Sequence, residues 1–107
     1  MQIQINSDKN IVVNAELTRL IEAELNRLLD RFESEVTRLE VHLSDENAGK
    51  SGPRNKRCLL EARPKSRPPL TVTNESGDVQ TAVSGAAGKM QRLLETTFGR
   101  LADKERK

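Results

Sequence analysis

An α+β domain is the fold class this sequence predicts, with the element order β-α-β-β-β-α and two helices laid on one face of a four-stranded sheet. Two long stretches carry apolar residues at spacings of three and four, as helices do. Four short stretches alternate polar with apolar, so each has one face to bury. Packing both helical stripes on the apolar side of a single sheet is the simplest way to bury all six, and it leaves the other sheet face open to water.

The first strand is QIQIN, residues 2 to 6, with Ile3 and Ile5 on one face and the turn-rich SDKN ending it. From Asn14, a predicted N-cap, Leu17, Leu20, Ile21, Leu25, Leu28, Leu29 and Phe32 mark one long amphipathic helix. After Glu35 the period drops to two: Leu39, Val41 and Leu43 point one way, Arg38, Glu40 and His42 the other. The stretch DENAGKSGPRN reads as a long, flexible hairpin loop, after which Cys58, Leu60 and Ala62 alternate in a third strand. Pro64, Pro68 and Pro69 punctuate the next connection, and Leu70 and Val72 form a short strand whose leading prolines suit a sheet edge. The second helical stripe runs from Val79 through Phe98 and Leu101, with Asp78 as its predicted N-cap. Gly85 and Gly88 fall inside it, where glycine costs about 1 kcal/mol relative to alanine; a close approach to a neighbouring element would offset that cost.

The chain has 107 residues, 35% apolar and 32% charged, enough for one hydrophobic core, and residues 1–107 are expected to form a single domain. The opening MQIQINSDKN lacks the basic start and apolar run of a secretory signal, and no segment approaches a membrane span, so a cytoplasmic protein is expected. Cys58 is alone and sits at an inward strand position, which predicts a core thiol. The single histidine, His42, lies at an outward position beside Glu40 and is expected to be solvated. With no second histidine and no cysteine pair, no metal site is expected, and a nucleophile–base dyad is excluded if Cys58 and His42 face opposite ways. Neither SGPRN nor ESGD has the spacing or lysine of a phosphate loop. The expectation is therefore a binding protein without catalytic chemistry, cofactor or small-molecule substrate.

Charge is the informative feature. Residues 1–46 hold five basic and ten acidic side chains, net −5, whereas residues 47–73 hold seven basic and one acidic, net +6; the remainder is net +1. The central block comprises Lys50, Arg54, Lys56, Arg57, Arg63, Lys65 and Arg67, a cluster able to neutralise phosphates and release counterions. Solubilising loops and shielding strand edges is the competing use of such residues. With two phenylalanines and neither Trp nor Tyr, an aromatic platform for single-stranded bases is not expected, and structured RNA read through backbone and shape is the better fit.

The series MQIQIN, ELTRLIEAELNRLLDRF, VTRLEVHLSDEN and ESGDVQTAVSGAAGKMQRLLE, taken in order over essentially the whole chain, resembles the bacterial ribosome hibernation-promoting factor and ribosome-associated inhibitor family, the ribosomal subunit interface proteins. The resemblance implies two parallel helices on a four-stranded sheet, similar to a double-stranded-RNA-binding domain. It also implies binding between head and body of the small ribosomal subunit, where such proteins occupy the messenger and transfer RNA path and silence idle ribosomes under stress. Basic helix faces of the family touch ribosomal RNA. The two lysines of its first helix correspond to Glu24 and Arg27, and a lysine and an arginine of its last helix to Lys89 and Arg92. Its tyrosine corresponds to Gln80, and later basic residues to Thr96 and Thr97, with Arg100, Lys104, Arg106 and Lys107 expected to compensate. The long basic hairpin implies that RNA contact has partly moved to Arg54, Lys56 and Arg57. The expected RNA-binding set is thus Arg27, Arg54, Lys56, Arg57, Arg63, Lys65, Arg67, Lys89, Arg92, Arg100 and Lys104. An interaction module that keeps the fold, loses RNA and meets a protein through its acidic first helix is the alternative.

Overall fold

The computed structural model describes residues 1–46 and 55–99. Its elements are β1 (Gln2–Ser7), α1 (Ala15–Leu29), β2 (Val36–Asp45), β3 (Lys56–Pro64), β4 (Leu70–Ser76) and α2 (Val79–Leu94). The sheet order is β1-β2-β3-β4, with β1 parallel to β2 and the other two pairings antiparallel. A parallel neighbour requires a crossover, which α1 supplies. The expected α+β class and element order are therefore found, with β4 at an edge behind Pro68 and Pro69.

Register explains how one core forms. Ile3, Leu39, Ala62 and Leu70 lie side by side across the sheet, as do Ile5, Val41, Leu60 and Val72. Ile21, Leu25 and Leu29 of α1 and Ala82, Val83, Ala86, Ala87, Met90 and Leu94 of α2 are buried in the same cluster. Both helices start as the sequence predicts: Asn14 Oδ1 accepts from the Leu17 N–H at 2.8 Å, and Asp78 Oδ1 from the Thr81 N–H at 2.8 Å. The Thr81 N–H and hydroxyl hold the Asp78 carboxyl below its ordinary range.

Both helices end earlier than their apolar stripes suggest. α1 stops at Leu29, and residues Asp30–Phe32 tighten into a turn closed by the Glu33 N–H on the Asp30 carbonyl, which still buries Phe32. After Leu94 the chain widens through Glu95–Gly99, where the Thr97 hydroxyl donates to the Leu93 carbonyl at 2.8 Å. Leu101 lies outside the described residues, as do residues 47–54 of the hairpin; the Glu46 N–H donates to the Asn55 carbonyl across its base at 2.9 Å.

The two helical glycines differ. A Cβ on Gly85 would stand 2.1 Å from Asn74 Nδ2 on β4, so glycine allows α2 to lie directly on the sheet there. Gly88 has no such neighbour, since its nearest contact would be the Arg92 side chain at 3.9 Å, and the expectation of a close approach there is corrected. Asn74 donates from the same amide to the Ala82 carbonyl at 3.3 Å. Gly85→Ala should therefore destabilise the fold by about 1–2 kcal/mol by displacing that amide, despite alanine's better helix propensity. In the Asn74→Ala background the sign should reverse, as urea unfolding of the four variants would reveal.

Cys58 is fully buried on β3, and burial pushes its thiol up to about 12 from 9.0. Iodoacetamide at pH 8 should therefore leave the folded protein unmodified and label it only in denaturant. Above about pH 9 the unfolded thiol ionises while the folded one does not, so stability should fall with rising pH, and Cys58→Ala should flatten that decline.

Candidate nucleic-acid interface

Side chains at odd positions of β3 and, from Arg38 onward, even positions of β2 point away from the core, and this alternation builds a charged open face. In register across it lie Gln4, Glu40, Glu61 and Thr71, flanked by Gln2, Arg38 and Arg63 on one side and by Asn6, His42, Leu59 and Thr73 on the other. The Glu40 carboxylate meets Arg38 at 2.6 Å, Arg63 at 3.1 Å and His42 at 3.5 Å, while Arg63 also reaches Glu61 at 2.9 Å. Desolvation on the sheet pushes Glu40 up, but Arg38 and Arg63 outweigh it and hold the carboxyl below its ordinary range. The face is a self-compensated network.

The same neutralisation reaches the base of the hairpin. Antiparallel register sets Asp45 opposite Lys56, and the two pair at 2.9 Å with side chains only 7% and 15% exposed. Arg57 pairs with Glu46 at 3.3 Å. On α1, Arg27 pairs with Glu24 at 2.8 Å, one helical turn away. Four of the expected RNA-binding cations, Arg27, Lys56, Arg57 and Arg63, thus meet the protein's own carboxylates. Arg54, Arg100 and Lys104 lie outside the described residues.

The other four, Lys65, Arg67, Lys89 and Arg92, are exposed and form no ion pair among the described residues. Lys89 and Arg92, three residues apart, share the solvent side of α2, and the Lys89 ammonium donates to the Thr73 carbonyl on β4 at 2.8 Å. Lys65 and Arg67 occupy the β3–β4 turn, where the Arg67 guanidinium lies over the Phe98 ring, 5.4 Å from its centre. These four mark the outer side of α2 and the turn below its C-terminal end.

Two features of this region had no signal in the sequence. The Ser84 hydroxyl of α2 donates to Glu24 of α1, a contact between residues sixty positions apart. That hydrogen bond, then Arg27, holds the Glu24 carboxyl below its ordinary range against some desolvation. Beside this clasp runs a groove of about 330 Å³ lined by Leu20, Glu24, Arg27, Gln80 and Ser84, with Leu20 45% exposed. The family positions of the sequence resemblance are therefore divided: residues 24, 27 and 80 flank the groove, whereas Lys89 and Arg92 face outward. Elsewhere, Arg31 pairs with Glu95 and ties the ends of the two helices together.

Among the described residues no three His, Cys, Asp or Glu side chains converge as a metal site, and no helix is long and apolar enough to cross a membrane. Residues 3–102 match the family model described as sigma 54 modulation protein / S30EA ribosomal protein. Solved structures share the fold. The Thermus thermophilus Protein Y N-terminal domain superimposes with a TM-score of 0.72 at 22% identity, over 91% of this chain and 99% of that one. A ribosomal subunit interface protein from Coxiella burnetii gives 0.77 at 16% identity, over 92% and 99%. No curated protein matches.

Proposed function

Since this chain belongs to the sigma 54 modulation protein / S30EA ribosomal protein family, a family of ribosome-associated modulation proteins, we propose that it is a translation inhibitor of the hibernation-factor type. In this reading residues 1–107 act as one cytoplasmic domain that binds the small ribosomal subunit through its RNA. There it blocks the path of messenger and transfer RNA. The observation that carries the RNA part is the set of four cations without carboxylate partners among the described residues, Lys65, Arg67, Lys89 and Arg92, because a cation already neutralised releases few counterions on meeting a phosphate.

The reading is one of binding, not catalysis. Cys58 is a buried neutral thiol, and His42 stands on the opposite, open sheet face beside Glu40. No cofactor is invoked. Co-sedimentation of the protein with purified small subunits over a salt series tests the proposal. Binding should weaken steeply as salt rises, and a pellet that is empty at low salt would refute it.

One observation favours a second reading. Glu24 stands where the resembled family has lysine, is held by Ser84, and borders a groove that exposes Leu20. A protein partner seated there would tolerate salt, so retention on subunits that survives high salt and is lost in Leu20→Asp would favour it.

A further inference from the structure

At the end of the sheet where β2 begins and β3 finishes, the chain forms a shallow pocket of about 220 Å³. Ser34, Glu35, Lys65, Ser66, Arg67 and Phe98 line it. Its floor is fixed by backbone pairing, since the Lys65 N–H donates to the Glu35 carbonyl at 3.0 Å and so joins the β3–β4 turn to the residues before β2. Three kinds of group converge on the pocket. Lys65 and Arg67 supply two positive charges without carboxylate partners among the described residues. The Glu35 carboxylate accepts from the Ser34 hydroxyl through Oε2 at 2.9 Å and makes no ion pair among the described residues. The Phe98 ring supplies an apolar face, against which Arg67 is stacked.

An inorganic anion would use the cations but offer no donor to Glu35 and nothing to the ring. A protein acid side chain would likewise leave the Glu35 carboxylate without a donor and the ring idle. A ribonucleotide within an RNA strand matches all three groups. Its phosphate pairs with Lys65 and Arg67, its ribose 2′-hydroxyl donates to the Glu35 carboxylate, and its sugar or base lies on Phe98. We infer that this pocket holds one unpaired ribonucleotide of the bound RNA, with Glu35 distinguishing RNA from DNA. The inference rests on the reading of the chain as an RNA-binding ribosome factor and adds to it a defined nucleotide site. Phe98 gives single-nucleotide stacking a place even though the chain has too few aromatic residues for a platform.

The test uses the isotope-labelled full chain titrated with decameric oligouridine, decameric oligodeoxyuridine and inorganic phosphate. The amides of Lys65, Ser66 and Arg67 and the Phe98 ring are followed by NMR. Oligouridine should shift these signals at concentrations about tenfold below those needed for the DNA decamer, and phosphate should act more weakly still. Glu35→Ala should bring RNA and DNA together, Phe98→Leu should weaken RNA about tenfold while leaving phosphate unchanged, and Arg67→Glu should abolish both. Equal response to RNA and DNA in the wild type, a response to phosphate alone, or unmoved pocket signals would each overturn the inference. Ribosome co-sedimentation keeps the two readings apart. Subunit binding with silent pocket signals removes the pocket only, whereas an RNA-specific response without subunit binding supports the pocket and removes the ribosome.

Discussion

Reversing the charge at Lys89 and Arg92 together should lower affinity for small ribosomal subunits by about a hundredfold at roughly 100 mM salt. Each phosphate contact contributes about 0.9 to the slope of log affinity against log salt, so losing two should flatten that slope by about 2, and placing carboxylates against phosphates adds repulsion. Both side chains point away from the core, so the fold should survive, although the Lys89 contact with Thr73 is lost with the reversal. Lys89→Gln with Arg92→Gln provides the milder comparison, expected to give the same change of slope with a smaller loss. Neutralising Lys56 and Arg57 sets the contrast. Those two already sit against Asp45 and Glu46, so changing both to glutamine should alter affinity by less than about threefold. Equal losses from both pairs would extend the RNA contact to the base of the hairpin, and a loss from Lys56 and Arg57 alone, with the α2 pair silent, would remove the role proposed for α2.

Leu60→Ala should cost about 3–4 kcal/mol of folding stability, far more than truncation of any exposed side chain. Leu60 is fully buried on the central strand β3, in register between Val41 and Val72, with α2 packed above it. Removing three carbons leaves a cavity that β-strands on both sides hold open, because their spacing is set by ladder hydrogen bonds and cannot collapse. A domain of this size is stable by only about 5–15 kcal/mol, so the loss should move the urea midpoint by a large fraction of its value without changing the slope. Leu20→Ala is the opposite case: on the rim of the interhelical groove it should cost well under about 1 kcal/mol. Similar losses at both positions would mean that the groove is closed in solution and that Leu20 belongs to the core.

Much of this architecture is legible along the chain. The alternation in Leu39, Val41 and Leu43, its echo in Cys58, Leu60 and Ala62, and the helical spacing from Leu17 to Leu29 each follow from the geometry of one element and need no knowledge of its neighbours. Asn14 and Asp78 announce their helices because a cap acts within three residues of itself. The helix ends are less legible. Phe32 keeps the apolar period although the backbone has already tightened, because a single buried ring can be reached from more than one backbone path.

The sequence by itself determined how many elements form, in what order, and which strand residues turn inward, since covalent geometry converts residue spacing directly into faces, whereas Leu20, on the apolar stripe of α1, is left 45% exposed by the packing of the helices. It also determined that positive charge gathers between residues 47 and 73. Only the tertiary structure decided which of those charges are neutralised within the molecule. Strand register brings Asp45 to Lys56 and Glu40 to Arg63, helix packing brings Ser84 to Glu24, and the turn after β3 brings Arg67 to Phe98. Coulombic attraction depends on distance in space, so a cation's availability to RNA is a property of its neighbours in the fold and is not written at its own position in the chain.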